Sequence, residues 1–136
     1  PAIQTGGNVG TSSWVIAWSI LKSKIVCLLG LDQGYPEETD LKTIDYHKFP
    51  KEIFKQTKSF EKAFPLIYNP EFDCKCRQDP IFQYYCNALK DFIDMASTKV
   101  TTYNATEGGA LFGKNINCIK FKEFLLKYDN QNLKIN

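Results

Sequence analysis

The chain has 136 residues, 43% of them hydrophobic and 14% aromatic, and a formal net charge of +2. This is the composition of one ordinary globular domain with a core to bury, and the charge is too small to mark a nucleic-acid or anionic-membrane binder. No apolar run reaches the roughly 18 residues that a membrane-spanning helix requires; the longest, Trp14 to Leu21, is interrupted by Ser19.

In chain order, a polar glycine loop comes first, Gln4-Thr5-Gly6-Gly7-Asn8-Val9-Gly10-Thr11-Ser12-Ser13. Val9 to Ser23 reads as a helix that Thr11, Ser12 or Ser13 can cap. Its run from Trp14 to Leu21 leaves almost no polar face, so burial on both sides is expected. Ile25-Val26-Cys27-Leu28-Leu29 is a continuous apolar run ending in Gly30, the pattern of a central parallel strand covered on both faces. Leu31 to Pro80 is rich in charge and punctuated by prolines, and residues 33–79 read as an insertion or lid over a ligand face. Within it, Lys51 to Ala63 predicts one short helix with Ile53, Phe54, Phe60 and Phe64 turned inward. Asp79 caps the next helix, Pro80 fits its first turn, and an apolar stripe carries it to about Ser97. Val100 to Tyr103 predicts a short strand, Phe121 to Tyr128 an amphipathic helix, and Asn130 to Asn136 a fraying tail. The alternation of helix and strand predicts an α/β fold with a small, mostly parallel sheet and helices on both faces. The few visible strands, and a start almost directly on a functional-looking loop, lead to the expectation that the chain is the C-terminal part of a larger catalytic domain.

Chemistry-bearing residues concentrate in loops. Glycines let the backbone approach an anion, and the first amides of a following helix point at it; Thr5, Gly6, Gly7, Asn8 and Thr11 are therefore candidate ligand contacts. Asp32 lies just beyond the carboxyl end of an apolar strand, where α/β sheets bind ligands. Asn104, Thr106 and Glu107 follow the later strand and precede Gly108 and Gly109, a polar cluster beside a flexible backbone. The competing reading is a tight turn whose Asn and Thr bond their own backbone. His47, the one histidine, sits in the insertion and is a candidate general base. Five cysteines, an odd number beside an ordinary core, argue for reduced thiols and a cytoplasmic setting. Cys74, Cys76 and Cys86 match no common zinc spacing, and no metal site is assigned to them.

Gly6-Gly7-Asn8-Val9, the apolar helix, Ile25 to Asp32, and above all Asn104-Ala105-Thr106-Glu107-Gly108-Gly109-Ala110 together resemble the motility accessory factor flagellin glycosyltransferases. That family also includes the 6-hydroxymethylpterin diphosphokinase-like proteins. The resemblance spans most of the chain and is weakest between Pro36 and Asp79. It implies a Rossmann-like three-layer α/β/α fold, similar to sialyltransferases that use CMP-sialic acid. It further implies a transferase that moves a nonulosonic, sialic-acid-like sugar from a CMP donor to a protein hydroxyl, such as one on a surface-filament subunit. By that likeness Thr5, Gly6, Gly7 and Asn8 contact the nucleotide or phosphate, Asp32 lines the site, and His47 or Glu107 deprotonates the acceptor. No metal or cofactor is required in that scheme. The diphosphokinase alternative would use ATP, with Asp32 and Glu107 holding magnesium. A third alternative is a truncated, non-catalytic ligand-binding domain. The expected partners are a nucleotide or nucleotide-sugar and a protein acceptor, with no nucleic acid and no membrane, and a bare sheet edge would favour a homodimer.

Overall fold

The structure is a computed structural model that describes residues 3–40 and 60–129. His47, most of the expected helix from Lys51 and the expected tail lie outside the described residues.

Helix α1, Val9–Val15, begins where Asn8 takes an extended conformation and accepts the Thr11 amide on its side chain at 3.0 Å. That satisfies one of the orphan donors of the first turn. The helix then widens into a π-helical turn, Ile16–Ile20, closed by Leu21 N donating to Ile16 O at 3.0 Å. Ser19 donates its hydroxyl to Val15 O at 2.6 Å, and so competes for the carbonyl that its own amide would use in an α-helix. Burial on both sides is not what results. Trp14 and Thr11 are buried, but Ile16, Ile20 and Leu21 are exposed, because the outer side of this segment meets no other element among the described residues.

Strand β1 is Ile25–Leu28, followed by the two-residue β2, Tyr35–Pro36, the single turn α2, Phe60–Ala63, and the hairpin β3, Leu66–Asn69, and β4, Cys74–Arg77. Helix α3 is Pro80–Ala96, β5 is Thr101–Asn104, β6 is Ile116–Cys118 and α4 is Phe121–Asp129. The strands form two three-stranded sheets. One is parallel in the order β1-β5-β6, with Ile25 opposite Thr101 and Thr102 opposite Ile116. The other is antiparallel in the order β2-β4-β3, with Tyr35 and Leu66 both opposite Arg77.

The fold is therefore α/β with a small parallel sheet, as the alternation predicts, but the details differ in two ways. Among the described residues β1 is an edge strand and β5 is central, since a uniformly apolar strand reports burial demand and not the number of its neighbours. The insertion also contributes strands of its own: β2, β3 and β4 make the antiparallel sheet.

The core lies between the parallel sheet and its helices. Trp14 is 1% exposed and donates Nε1–H to Thr102 Oγ1 at 3.0 Å, fixing α1 on β5. Leu89 and Ile93 of α3 pack into the same cluster with Leu28 and Leu111. Tyr103 follows Thr102 and so faces the opposite side, where Phe124 and Tyr128 of α4 pack on its ring.

Candidate functional site

The three parallel strands end on one side of the sheet, and the loops that follow β1 and β5 meet there. Ala105 N donates to Leu28 O at 2.9 Å, Leu31 N to Thr106 Oγ1 at 3.0 Å, and Ala110 N to Asp32 O at 2.7 Å. Positive φ angles cluster in the same place: Gly30 at 65°, Gln33 at 53°, Glu107 at 61° and Gly109 at 74°. Left-handed backbone at a non-glycine residue costs energy and persists where the surroundings dictate it.

The side chains holding these loops are buried amides. Asn104, 0% exposed, donates to Leu111 O at 2.7 Å and accepts the Thr106 amide at 3.0 Å. Asn69, at the end of β3, donates to Gly109 O at 2.9 Å and accepts the Glu71 amide at 3.0 Å. Gln78 donates to Gln33 O at 2.7 Å, while the buried Gln33 Oε1 has no hydrogen-bond partner among the described residues.

Asp32 stands differently. Its side chain is exposed, lies beside Gly108, and makes no hydrogen bond or ion pair among the described residues. Glu107 is exposed as well, but its Oε1 accepts the Phe121 amide at 3.1 Å. That contact satisfies a donor at the start of α4 and places the carboxylate on the favourable end of its dipole.

The glycine loop takes up a neighbouring position. A Cβ on Gly7 would lie 2.7 Å from the Tyr85 ring, and one on Gly6 3.3 Å from Phe92, so the loop rides on α3. Gly10 abuts Leu31, which ties the start of α1 to the β1 loop. Between the loop and α3 runs an open groove of about 700 Å³ lined by Thr5, Gly6, Gly7, Tyr84, Asn87 and Asp91 among others. Asp32 and Glu107 are not part of it.

The expected site residues thus divide. Asp32, Thr106, Glu107, Gly108 and Gly109 come together over the carboxyl ends of the strands, and Thr5, Gly6 and Gly7 wall the adjacent groove. Asn8 and Thr11 are engaged with each other: Asn8 Nδ2 donates to Thr11 Oγ1 at 3.1 Å, and Thr11 is 0% exposed. Asn104 and Thr106 spend their polar atoms on the loop itself, which is the turn reading of that cluster.

Sequence reasoning missed Asn69, whose reach to Gly109 spans 40 residues and leaves no local trace. It also missed a trio across β5 and α4. Lys127 Nζ donates to Tyr103 Oη at 2.6 Å, and Tyr128 donates its hydroxyl to the same oxygen at 3.0 Å. These two donors hold the Tyr103 phenol below its ordinary pKa, while Lys127 and Tyr128, each bonded to Tyr103, are held above theirs.

Among the described residues no three His, Cys, Asp or Glu side chains stand close enough to hold a metal ion. Burial pushes the thiols of Cys76 and Cys118 up to about 11. No described helix is long and apolar enough to cross a membrane. Comparison with protein-family models, with curated proteins and with solved structures finds no match.

Proposed function

We propose that the chain is part of a Rossmann-like, nucleotide-dependent transferase that moves a nonulosonic sugar from a CMP donor to a protein hydroxyl. The observation that carries the reading is Asp32. It presents an unengaged carboxylate at the carboxyl edge of a parallel sheet, where α/β folds bind their ligands. It is held there by backbone bonding to the loop that the sequence resemblance singles out.

A carboxylate at that point accepts hydrogen bonds from ribose or sugar hydroxyls. The glycine loop is tied to the β1 loop through Gly10, which abuts Leu31, and its backbone donors would offset the charge that develops on the departing CMP phosphate. Glu107 would serve as base by giving up the Phe121 amide, and His47 is the other candidate for that role. Asn104 and Asn69 keep the loop in place and touch no ligand in this scheme.

A thermal-shift titration with CMP tests the proposal, with ATP plus magnesium in parallel. A ligand specific to the folded state at about 100 times its Kd adds about 2.7 kcal/mol, a shift of several degrees for a domain of this size. CMP is expected to raise the Tm of the wild type and not that of Asp32→Asn. A shift with ATP and magnesium alone would replace this reading with the diphosphokinase, and no shift with either would favour the non-catalytic domain.

A further inference from the structure

In a parallel ladder a strand turns the amide and carbonyl of alternate residues toward one neighbour. Thr101 N bonds to Lys24 O, and Ala105 N to Leu28 O. Lys24, Val26 and Leu28 therefore serve β5, and Ile25, Cys27 and Leu29 turn their backbone groups to the other side. Among the described residues β1 pairs with β5 alone. The side chains there are apolar and open to solvent, with Ile25 39% and Leu29 50% exposed. The π-helical turn that packs on β1 leaves Ile20 52% and Leu21 69% exposed. Folded proteins protect such edges with charges, prolines or bulges, and none lies between Ile25 and Leu29.

We propose that β1 pairs antiparallel with β1 of a second copy of this chain, about a two-fold axis through Cys27. Three features select this occupant. Ile25, Cys27 and Leu29 are the hydrogen-bonding set of an antiparallel ladder centred on Cys27, so the register closes on itself. Ile25 of each copy faces Leu29 of the other, and every opposed pair in the strand is apolar.

Charge and space agree with the same register. Lys24 falls opposite Gly30, where no atom lies within 4 Å of a Cβ position. The two Lys24 side chains are then about 20 Å apart along the ladder, whereas a parallel alignment would set them against each other. Finally, an axis perpendicular to the sheet brings both π-helical turns to the same face, so Ile20 and Leu21 find a matching apolar surface. A lone extended peptide would cover the edge and leave those residues in water. The contact is isologous, and it stops at two copies.

Sedimentation equilibrium of the 136-residue chain over a wide concentration range is the first experiment, and a dimer is expected. Cys27→Lys, which places two ammonium groups opposite each other at the axis, is expected to give a monomer with an unchanged far-UV CD spectrum. Opposed Cα atoms in such a pair lie about 5.5 Å apart, so a short bismaleimide should join Cys27 to Cys27. The cross-linked dimer should persist in Cys74→Ser/Cys118→Ser and vanish when Cys27→Ser is added. The cross-link decides the matter if Cys27→Lys does not fold. A wild-type chain that stays monomeric, or a cross-link that survives Cys27→Ser, overturns the proposal.

Discussion

Gly109 passes beneath Asp32 with no room for a side chain: a Cβ there would lie 2.3 Å from Asp32 O and 2.4 Å from its Cα. The glycine also sits at φ +74°. Gly109→Ala therefore meets both a strained backbone and a clash with main chain that cannot rotate away, and it should cost about 3 kcal/mol or more. Gly30→Ala is the control. Its φ is +65°, but nothing lies within 4 Å of the added methyl, so only the left-handed penalty of about 1–2 kcal/mol remains. Urea denaturation of the two variants measures the difference.

The buried amides should behave as structural pins. Asn104→Ala leaves Leu111 O and the Thr106 amide without their partner, and Asn69→Ala does the same to Gly109 O. An unsatisfied buried group costs about 1–3 kcal/mol, so both variants should lose stability on that scale. Asp32→Asn, at an exposed and unbonded position, should stay within about 0.5 kcal/mol of the wild type. Glu107 falls between: Glu107→Gln keeps an acceptor for the Phe121 amide and should be nearly neutral, while Glu107→Ala should cost about 1 kcal/mol, as a lost helix cap does. Chemical denaturation ranks all five.

What could be read from the sequence is what is decided locally. Asp79 accepts the Phe82 amide at 2.7 Å and Pro80 opens α3, both within one turn. The stripe that places Cys86, Leu89, Ile93 and Ala96 inward repeats along that same helix. β5 and α4 fall where the short apolar patterns put them, within a residue or so. What could not be read depends on partners far along the chain. β1 has the composition of a central strand, yet its place at one end of the order β1-β5-β6 is settled by strands more than 70 residues later. The turn of hydrogen bonds around Asn104 shows the same limit at the candidate site. A polar cluster after a strand looks the same in sequence whether its amides face a ligand or, as here, its own loop.

Cysteine reactivity offers an independent reading of the packing. Burial raises the thiols of Cys27 and Cys86, and takes those of Cys76 and Cys118 to about 11 from an ordinary 9. The thiolate is the reacting form, so a rise of that size lowers its population at neutral pH by about a hundredfold. Alkylation with iodoacetamide, followed by peptide mass mapping, should therefore leave Cys76 and Cys118 unmodified long after a free thiol has reacted. Denaturant should remove the protection. Fast modification of Cys76 in the native protein would mean that its side chain does not join the core cluster that holds Cys86 and Leu89.

The Tyr103–Lys127 contact gives stability a signed dependence on alkaline pH. Tyr103 is held below the ordinary 10.0, first by its hydrogen bond from Lys127, so the unfolded chain binds more protons as pH approaches 10. The Tyr103 contribution is therefore present above its unfolded pKa and is lost as pH falls through its lowered folded value. Lys127 is held above the ordinary 10.5 by the same bond, so its contribution is present below 10.5 and is lost as pH rises through the raised value. Tyr128, donating to Tyr103, is also held above 10.0 and acts in the same direction as Lys127. Stability relative to Lys127→Met should thus rise as Tyr103 ionises, peak near pH 10, and fall beyond it. Phenolate absorbance at 295 nm should show one tyrosine ionising early in the wild type, and Lys127→Met should move it toward the bulk titration, with the Tyr128 bond still in place. An unaltered titration curve in that variant would place the Lys127 ammonium away from Tyr103.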